Sequence, residues 1–155
     1  MTATDPPVLL DVNVLVALAW PNHVHHDGAL AWWRGRKGRP WATCPATQFG
    51  FVRVSSNRRV VGEAKTPGEA IALLARIAAQ PGHVFWSDDV SIVDPALIDG
   101  SRIVGLRQVT DAHLVALAIR HGGRLATFDR SLGEVVPPGA DRDGLIELLG
   151  AGPLG

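Results

Sequence analysis

Short apolar runs alternate with longer segments of helical period along nearly the whole chain, and this alternation restricts the fold more than any other feature. Val8-Leu9-Leu10 reads as a buried strand. Asn13 can cap a helix from Val14 to Trp20, which Pro21 stops. A second helix is expected from His26 to Arg34, with Leu30 and Trp33 on one face, and a strand over Trp41-Ala42-Thr43. Pro45 can open the next helix, towards Val54, because its missing N–H is not needed at the first helical position. Thr66-Pro67-Gly68-Glu69 is a capping box. Its helix carries Ala70, Leu73, Leu74 and Ile77 at three- and four-residue spacing and stops at Gln80-Pro81-Gly82. His83 to Trp86 reads as a strand. Thr110 can cap a helix through Arg120, with Leu114, Leu117 and Ala118 inward. Arg124 to Thr127 and Leu145 to Leu149 read as strands, with a loop at Val136-Pro137-Pro138-Gly139 between them. The repeated strand–helix–strand order predicts an α/β fold, a parallel sheet with helices on both faces.

The 155 residues are the size of one domain, expected over 1–155 with 150–155 as a frayed tail. An apolar fraction of 46% against 19% charged excludes a disordered chain. One cysteine, Cys44, allows no internal disulfide and fits a reducing compartment; it reads as a small buried hydrophobe. The longest apolar run, Val8 to Trp20, is interrupted by Asp11 and Asn13 and is too short to cross a bilayer. A cytoplasmic protein with no membrane partner is expected. Net charge is zero, which argues against a dedicated non-specific nucleic-acid binder. The charges are nevertheless clustered: Arg34, Arg36, Lys37 and Arg39; Arg53, Arg58 and Arg59; and the acids Asp88, Asp89, Asp94 and Asp99. A basic rim around an acidic centre would suit an enzyme that holds phosphates, whereas solvated faces are the plainer reading of each cluster.

In open α/β sheets, ligands collect at the carboxyl ends of the strands. Asp11 directly follows the first strand, Asp129 follows the strand that ends at Thr127, and Asp111 is expected in the first turn of its helix. Two unit charges about 4 Å apart cost roughly 4 kcal/mol at an effective dielectric of about 20, so converging carboxylates call for a cation or an altered protonation. Hard oxygen donors with no nearby cysteine suit Mg²⁺ or Mn²⁺, and phosphodiester hydrolysis is the chemistry that follows. Asp88 and Asp89 also follow an expected strand, so position alone does not choose among the acids.

Resemblance makes that choice. Leu9-Leu10-Asp11-Val12-Asn13-Val14-Leu15 resembles the opening motif of PIN domains. Thr110-Asp111-Ala112-His113-Leu114-Val115-Ala116-Leu117-Ala118 resembles their later helix, and Gly123-Arg124-Leu125-Ala126-Thr127-Phe128-Asp129 their strand with the final acid. Cys44-Pro45-Ala46-Thr47-Gln48-Phe49-Gly50-Phe51-Val52-Arg53-Val54 resembles a segment of mycobacterial-style VapC toxins. The resemblance implies a three-layer α/β/α sandwich and a Mg²⁺- or Mn²⁺-dependent endoribonuclease of a type II toxin–antitoxin system. It implies structured RNA as substrate, tRNA or rRNA, together with a homodimer and a VapB-type antitoxin whose tail enters the acidic pocket. Asp11, Asp111 and Asp129 would then be the catalytic and metal-binding residues, with Asn13 orienting Asp11 and Gln48 and Thr110 in support. Arg53 and Arg58 are the candidates for phosphate contact. Gln48 stands where the family usually has Glu; an amide adds no charge and cannot act as a base. Weaker metal binding is expected, with Gln48→Glu restoring it.

Two other classes compete. A phosphatase with Asp11 as nucleophile would need a second Asp where Asn13 stands and a later lysine, and the only lysines are Lys37 and Lys65. A degenerate PIN domain that binds RNA or antitoxin without cleaving is the alternative that Gln48 raises. His23, His25 and His26 could suggest zinc, but a solvated helix entrance is the simpler reading. His113 is read as packing, and Trp32, Trp33, Trp41 and Trp86 as core or dimer residues before base-stacking ones.

Overall fold

The computed structural model describes residues 5–150, so residues 151–155 of the expected tail lie outside the described part. Five strands form one wholly parallel sheet: β1 (Val8–Leu10), β2 (Trp41–Thr43), β3 (His83–Phe85), β4 (Arg124–Thr127) and β5 (Ile146–Leu148). Their spatial order is β3-β2-β1-β4-β5. The chain thus builds outwards from β1 in one direction and returns to add β4 on its other side. β1 is buried along its whole length, which explains its unbroken apolar run.

The helices are α1 (Val12–Ala19), α2 (His26–Gly35), α3 (Pro45–Ser55), α4 (Pro67–Ala78), α5 (Arg107–Arg120) and a single turn, α6 (Arg142–Leu145). One apolar layer joins Val8, Leu10, Trp41 and Ala126 of the sheet to Leu15 of α1, Phe51 of α3 and Leu74 of α4. The opposite layer joins Leu9, Ala42 and Leu125 to Leu114, Val115 and Leu117 of α5. The period-two alternation of each strand sorts these side chains between the layers. The result is the expected three-layer α/β/α sandwich.

The capping box of α4 forms as read. Thr66 N–H donates to Glu69 Oε1 (3.0 Å), and Glu69 N–H donates to Thr66 Oγ1 (3.2 Å). Two other starts differ from expectation. Asp11, not Asn13, caps α1, its Oδ1 accepting from Val12 N–H at 2.7 Å. Helix α5 begins at Arg107, so Thr110 is not its cap and Asp111 falls in its second turn. The cause is Gln108, whose Oε1 accepts from the N–H groups of Val104 (2.7 Å) and Gly105 (3.3 Å) and closes the turn before the helix. The last strand is also shorter than Leu145 to Leu149, because α6 takes Leu145.

Helices α1 and α3 pack closely, and a Cβ at Gly50 would collide with Val12. Cys44 is free and fully buried, as read. Trp41 and Trp86 belong to the core.

Candidate active site

The reversal of strand order falls between β1 and β4, and Asp11 and Asp129 extend from the carboxyl ends of these neighbours. This is where open parallel sheets expose a crevice. A cavity of about 690 Å³ opens there, lined by Asp11, Asp111 and Asp129 from three separate elements and by Asn13 between them.

Each carboxylate is held differently. Asp11 is buried, and its Oδ2 accepts the Thr127 hydroxyl at 2.7 Å while Oδ1 accepts Val12 N–H. Burial pushes its carboxyl above the usual range; the Thr127 and Val12 bonds oppose the rise, and the charge of Asp129 adds to it. Asp129 Oδ1 accepts the N–H (2.9 Å) and hydroxyl (2.7 Å) of Ser131. Asp111 is half-buried, and no hydrogen bond reaches its side chain among the described residues. Burial, then the charges of Asp11 and Asp129, raise it to about 6.

Thr127 ties the group together, and sequence reading missed it. Its hydroxyl donates to Asp11 and accepts from Asp129 N–H (3.0 Å) and from Asn13 Nδ2 (3.4 Å). Asn13 Oδ1 accepts Phe128 N–H at 3.3 Å. Asn13 therefore reaches Asp11 through Thr127 and not by a direct bond. The available signal was a hydroxyl closing the buried end of its strand, two residues before Asp129.

The remaining candidates scatter. Gln48 is absent from the cavity wall; its Nε2 donates to Thr43 Oγ1 at 3.1 Å, in a chain that continues to His83 Nε2 at 2.7 Å. Thr110 and Arg53 line an adjoining groove of about 530 Å³, which shares Val12 and Val54 with the acidic cavity. Arg58 lines neither. Among the described residues Arg107 is the one Lys or Arg in the cavity wall, a residue the sequence reading passed over although it stands one turn before Asp111. Among the described residues it has no ion-pair partner.

Asp88 and Asp89 are accounted for elsewhere. His113 Nε2 lies 2.6 Å from Asp88, and His121 Nε2 (3.1 Å) and Arg120 Nε (3.4 Å) hold Asp89. Structural pairing with α5 thus removes both acids from the contest. The Arg34–Arg39 cluster forms no rim either. Arg36 is buried at the amino edge of the sheet, its guanidinium 5.1 Å from the Trp32 ring and donating to Pro40 O. His23 lines the cavity, whereas His25 and His26, at the entrance of α2, do not.

The donor set suits a hard divalent cation. Asp11 and Asp129 each push another carboxyl upwards, which is unrelieved repulsion, and every donor is oxygen. Among the described residues no three His, Cys, Asp or Glu close into a metal cage. An open arrangement of carboxylates is what Mg²⁺ uses, since it keeps several waters and shares its coordination with substrate phosphates.

A parallel α/β sandwich with a carboxylate cavity at its strand-order switch defines the class of protein, an α/β domain with an acidic site at its sheet edge. The chain belongs to the PIN-domain family, whose model matches residues 8–136. It is similar to ribonuclease VapC39 of Mycobacterium tuberculosis, with 48% identity over 141 residues, covering 91% of this chain and 98% of the relative. It is 52% identical to ribonuclease VapC38 of the same organism over 121 residues, covering 78% and 84%. A solved structure of VapBC2 from Rickettsia felis, bound to a DNA fragment from their promoter, shares the fold. The TM-score is 0.57 and the identity 13%, over 92% of this chain and 98% of that one.

Proposed function

We propose that the chain is the toxin of a type II toxin–antitoxin pair, a Mg²⁺- or Mn²⁺-dependent endoribonuclease that hydrolyses phosphodiester bonds of structured cellular RNA. The observation that carries this reading is the convergence of Asp11, Asp111 and Asp129 on one cavity at the β1–β4 switch. Ribonuclease relatives that span most of the chain support the same reaction.

The three aspartates would hold the ion. When bound, it supplies charge neutralisation at phosphate and an acidified water. The protein's own part is positional. Thr127 and Val12 fix Asp11, and Ser131 fixes Asp129, so two acceptors are oriented before substrate arrives. Among the described residues Asp111 has no hydrogen-bond donor on its carboxylate, which leaves its oxygens open to the ion. Arg107 supplies the only guanidinium in the wall among the described residues and replaces Arg53 and Arg58 as the first candidate for a phosphate contact.

In this reading tRNA or rRNA is the substrate, the site acts in a cytoplasmic homodimer, and a VapB-type antitoxin neutralises it by occupying the acidic cavity. No helix among the described residues is long and apolar enough to cross a membrane. The degenerate, non-cleaving reading loses its ground, because Gln48 faces Thr43 and the three aspartates are all present in the cavity wall.

The test is incubation of total cellular RNA with the purified, antitoxin-free protein and Mg²⁺ or Mn²⁺. Discrete fragments that vanish with chelator and in Asp11→Ala are expected, and their ends identify the substrate. Intact RNA under both metals, with RNA still bound, would overturn the enzymatic reading.

A further inference from the structure

The cavity has a second stretch of wall beyond its carboxylates. Its wall follows α1 from Asp11 through Val12, Asn13 and Val16 to Trp20 at the far end. The eight residues of α1 rise about 12 Å between the caps Asp11 and Trp20. The carboxylates occupy the amino end of α1. Towards the carboxyl end of α1 the wall has Val16 and Trp20, whose ring carries the Lys65 ammonium at 5.7 Å, and the same wall includes Val60, Val61, Asn22 and His23.

His23 is held by its own loop. Its N–H donates to Trp20 O (3.0 Å), and its carbonyl accepts from His26 N–H (3.0 Å). The N–H of His25 donates to His23 Nδ1 at 3.0 Å. A ring nitrogen that accepts is unprotonated, so the neutral imidazole carries its proton on Nε2. Burial, with His25 and His26 nearby, holds the imidazole below its usual range and so favours that neutral form. Its two neighbours are engaged elsewhere. The His25 ring stacks on Phe128 at 4.4 Å and 10°, and His26 Nδ1 lies 2.7 Å from Ala17 O. No partner for His23 Nε2 is present among the described residues.

We propose that the Trp20–His23 end of the cavity is a nucleobase subsite, where an unstacked RNA base lies against Val16, Trp20 and Val61 and accepts a hydrogen bond from His23 Nε2. The subsite rests on the ribonuclease reading and supplies its base preference next to the cut. An apolar wall with a few fixed polar groups is the usual chemistry of a pocket for a flat heteroaromatic ligand. Single-stranded RNA is read by this means, through splayed bases with exposed edges. Continuity with the carboxylates selects this occupant: a strand whose phosphate lies at Asp11 carries its neighbouring base along α1. An apolar peptide side chain would instead leave the half-buried His23 Nε2–H unmet.

Two variants separate the donor from the loop. His23→Asn keeps an acceptor for His25 N–H but loses the distal donor; His23→Gln keeps a distal N–H. The binding probe is the four ribonucleoside monophosphates with Mg²⁺, which contain no phosphodiester to cut, added to the full-length protein with Asp11 intact. The readout is the NMR signals of the His23 imidazole and the Val60 and Val61 methyls. At least one monophosphate is expected to move these signals. Adding His23→Asn weakens it about tenfold, as loss of one hydrogen bond does, and His23→Gln retains it. In the cutting protein, RNA randomised around the cleavage site should show a preference for the same base, and His23→Asn should flatten it.

Unmoved signals, or an unchanged preference in His23→Asn, overturn the subsite and leave the nuclease intact. Binding at these signals with no RNA ever cut sustains the subsite and sinks the nuclease reading. Signals that respond to an antitoxin peptide and to no nucleotide overturn the proposal in favour of a protein dock.

Discussion

Replacing Asp111 by Asn should stabilise the metal-free protein, although it removes a residue proposed for catalysis. The Asp111 carboxyl rises from 3.8 to about 6, because burial and the charges of Asp11 and Asp129 oppose its ionisation. A folded-state value above the unfolded one means that the native state holds the proton more tightly. The stabilisation is therefore complete below about pH 4 and disappears as pH rises through about 6. At about 1.4 kcal/mol per unit, the full shift would amount to about 3 kcal/mol. Asp111 is only half-buried, and solvent screening reduces this to about 1–2 kcal/mol. For a domain of this size that is roughly 3–6 °C in Tm. Asn cannot ionise and forfeits no hydrogen bond, since none reaches Asp111 among the described residues. The assay is thermal melting in chelator at about pH 7.5 and about pH 5, then with added Mg²⁺. The variant should melt higher at the upper pH, keep only about half of that margin at the lower, which lies between the unfolded and folded values, and lose the stabilisation by Mg²⁺ that mass action gives wild type. A variant that melts lower at the upper pH, or by the same margin at both, would refute the reasoning.

Other perturbations have equally definite outcomes. Thr127→Val removes the hydroxyl shared by Asp11, Asp129 N–H and Asn13, and should cost about 1–3 kcal/mol in chemical denaturation together with most of the cleavage rate. Thr127→Ser should retain both. Gly50→Ala forces α1 away from α3 at Val12, beside Asp11, and should cost about 1–3 kcal/mol, read from the urea midpoint. Arg107→Gln should weaken RNA binding and shallow its salt dependence by about one counterion, while Arg58→Gln changes neither. Gln48→Glu should leave Mn²⁺ affinity, measured by calorimetry, little altered, since this amide bonds Thr43 away from the cavity wall.

Most of the layered fold is legible because its rules are local. The apolar run at Val8–Leu10, the capping box at Thr66 and the proline before Ala46 each declare an element within a few residues. Asp11 and Asp129 are legible for the same reason, each following a recognisable strand. What stays hidden depends on partners far along the chain. Asp88 and Asp89 match the positional rule as well as Asp129 does, and only contacts with His113, His121 and Arg120 remove them. Thr127 reads as an ordinary strand former until its hydroxyl is seen 116 residues away in sequence from Asp11. The start of α5 is concealed because a glutamine inside the helix closes the preceding turn, so Thr110, an ordinary cap residue, took its place in the reading. His23 belongs to the cavity through a bend that follows Pro21, which periodicity does not register.

The most direct measurement is titration of the chelator-treated protein with Mn²⁺, with RNA cleavage followed in the same samples. The carboxylate-centre account predicts that cleavage rises with occupancy of a site that Asp11→Asn, Asp111→Asn and Asp129→Asn each weaken or abolish. Cleavage that persists without metal, or metal binding indifferent to all three substitutions, would contradict it.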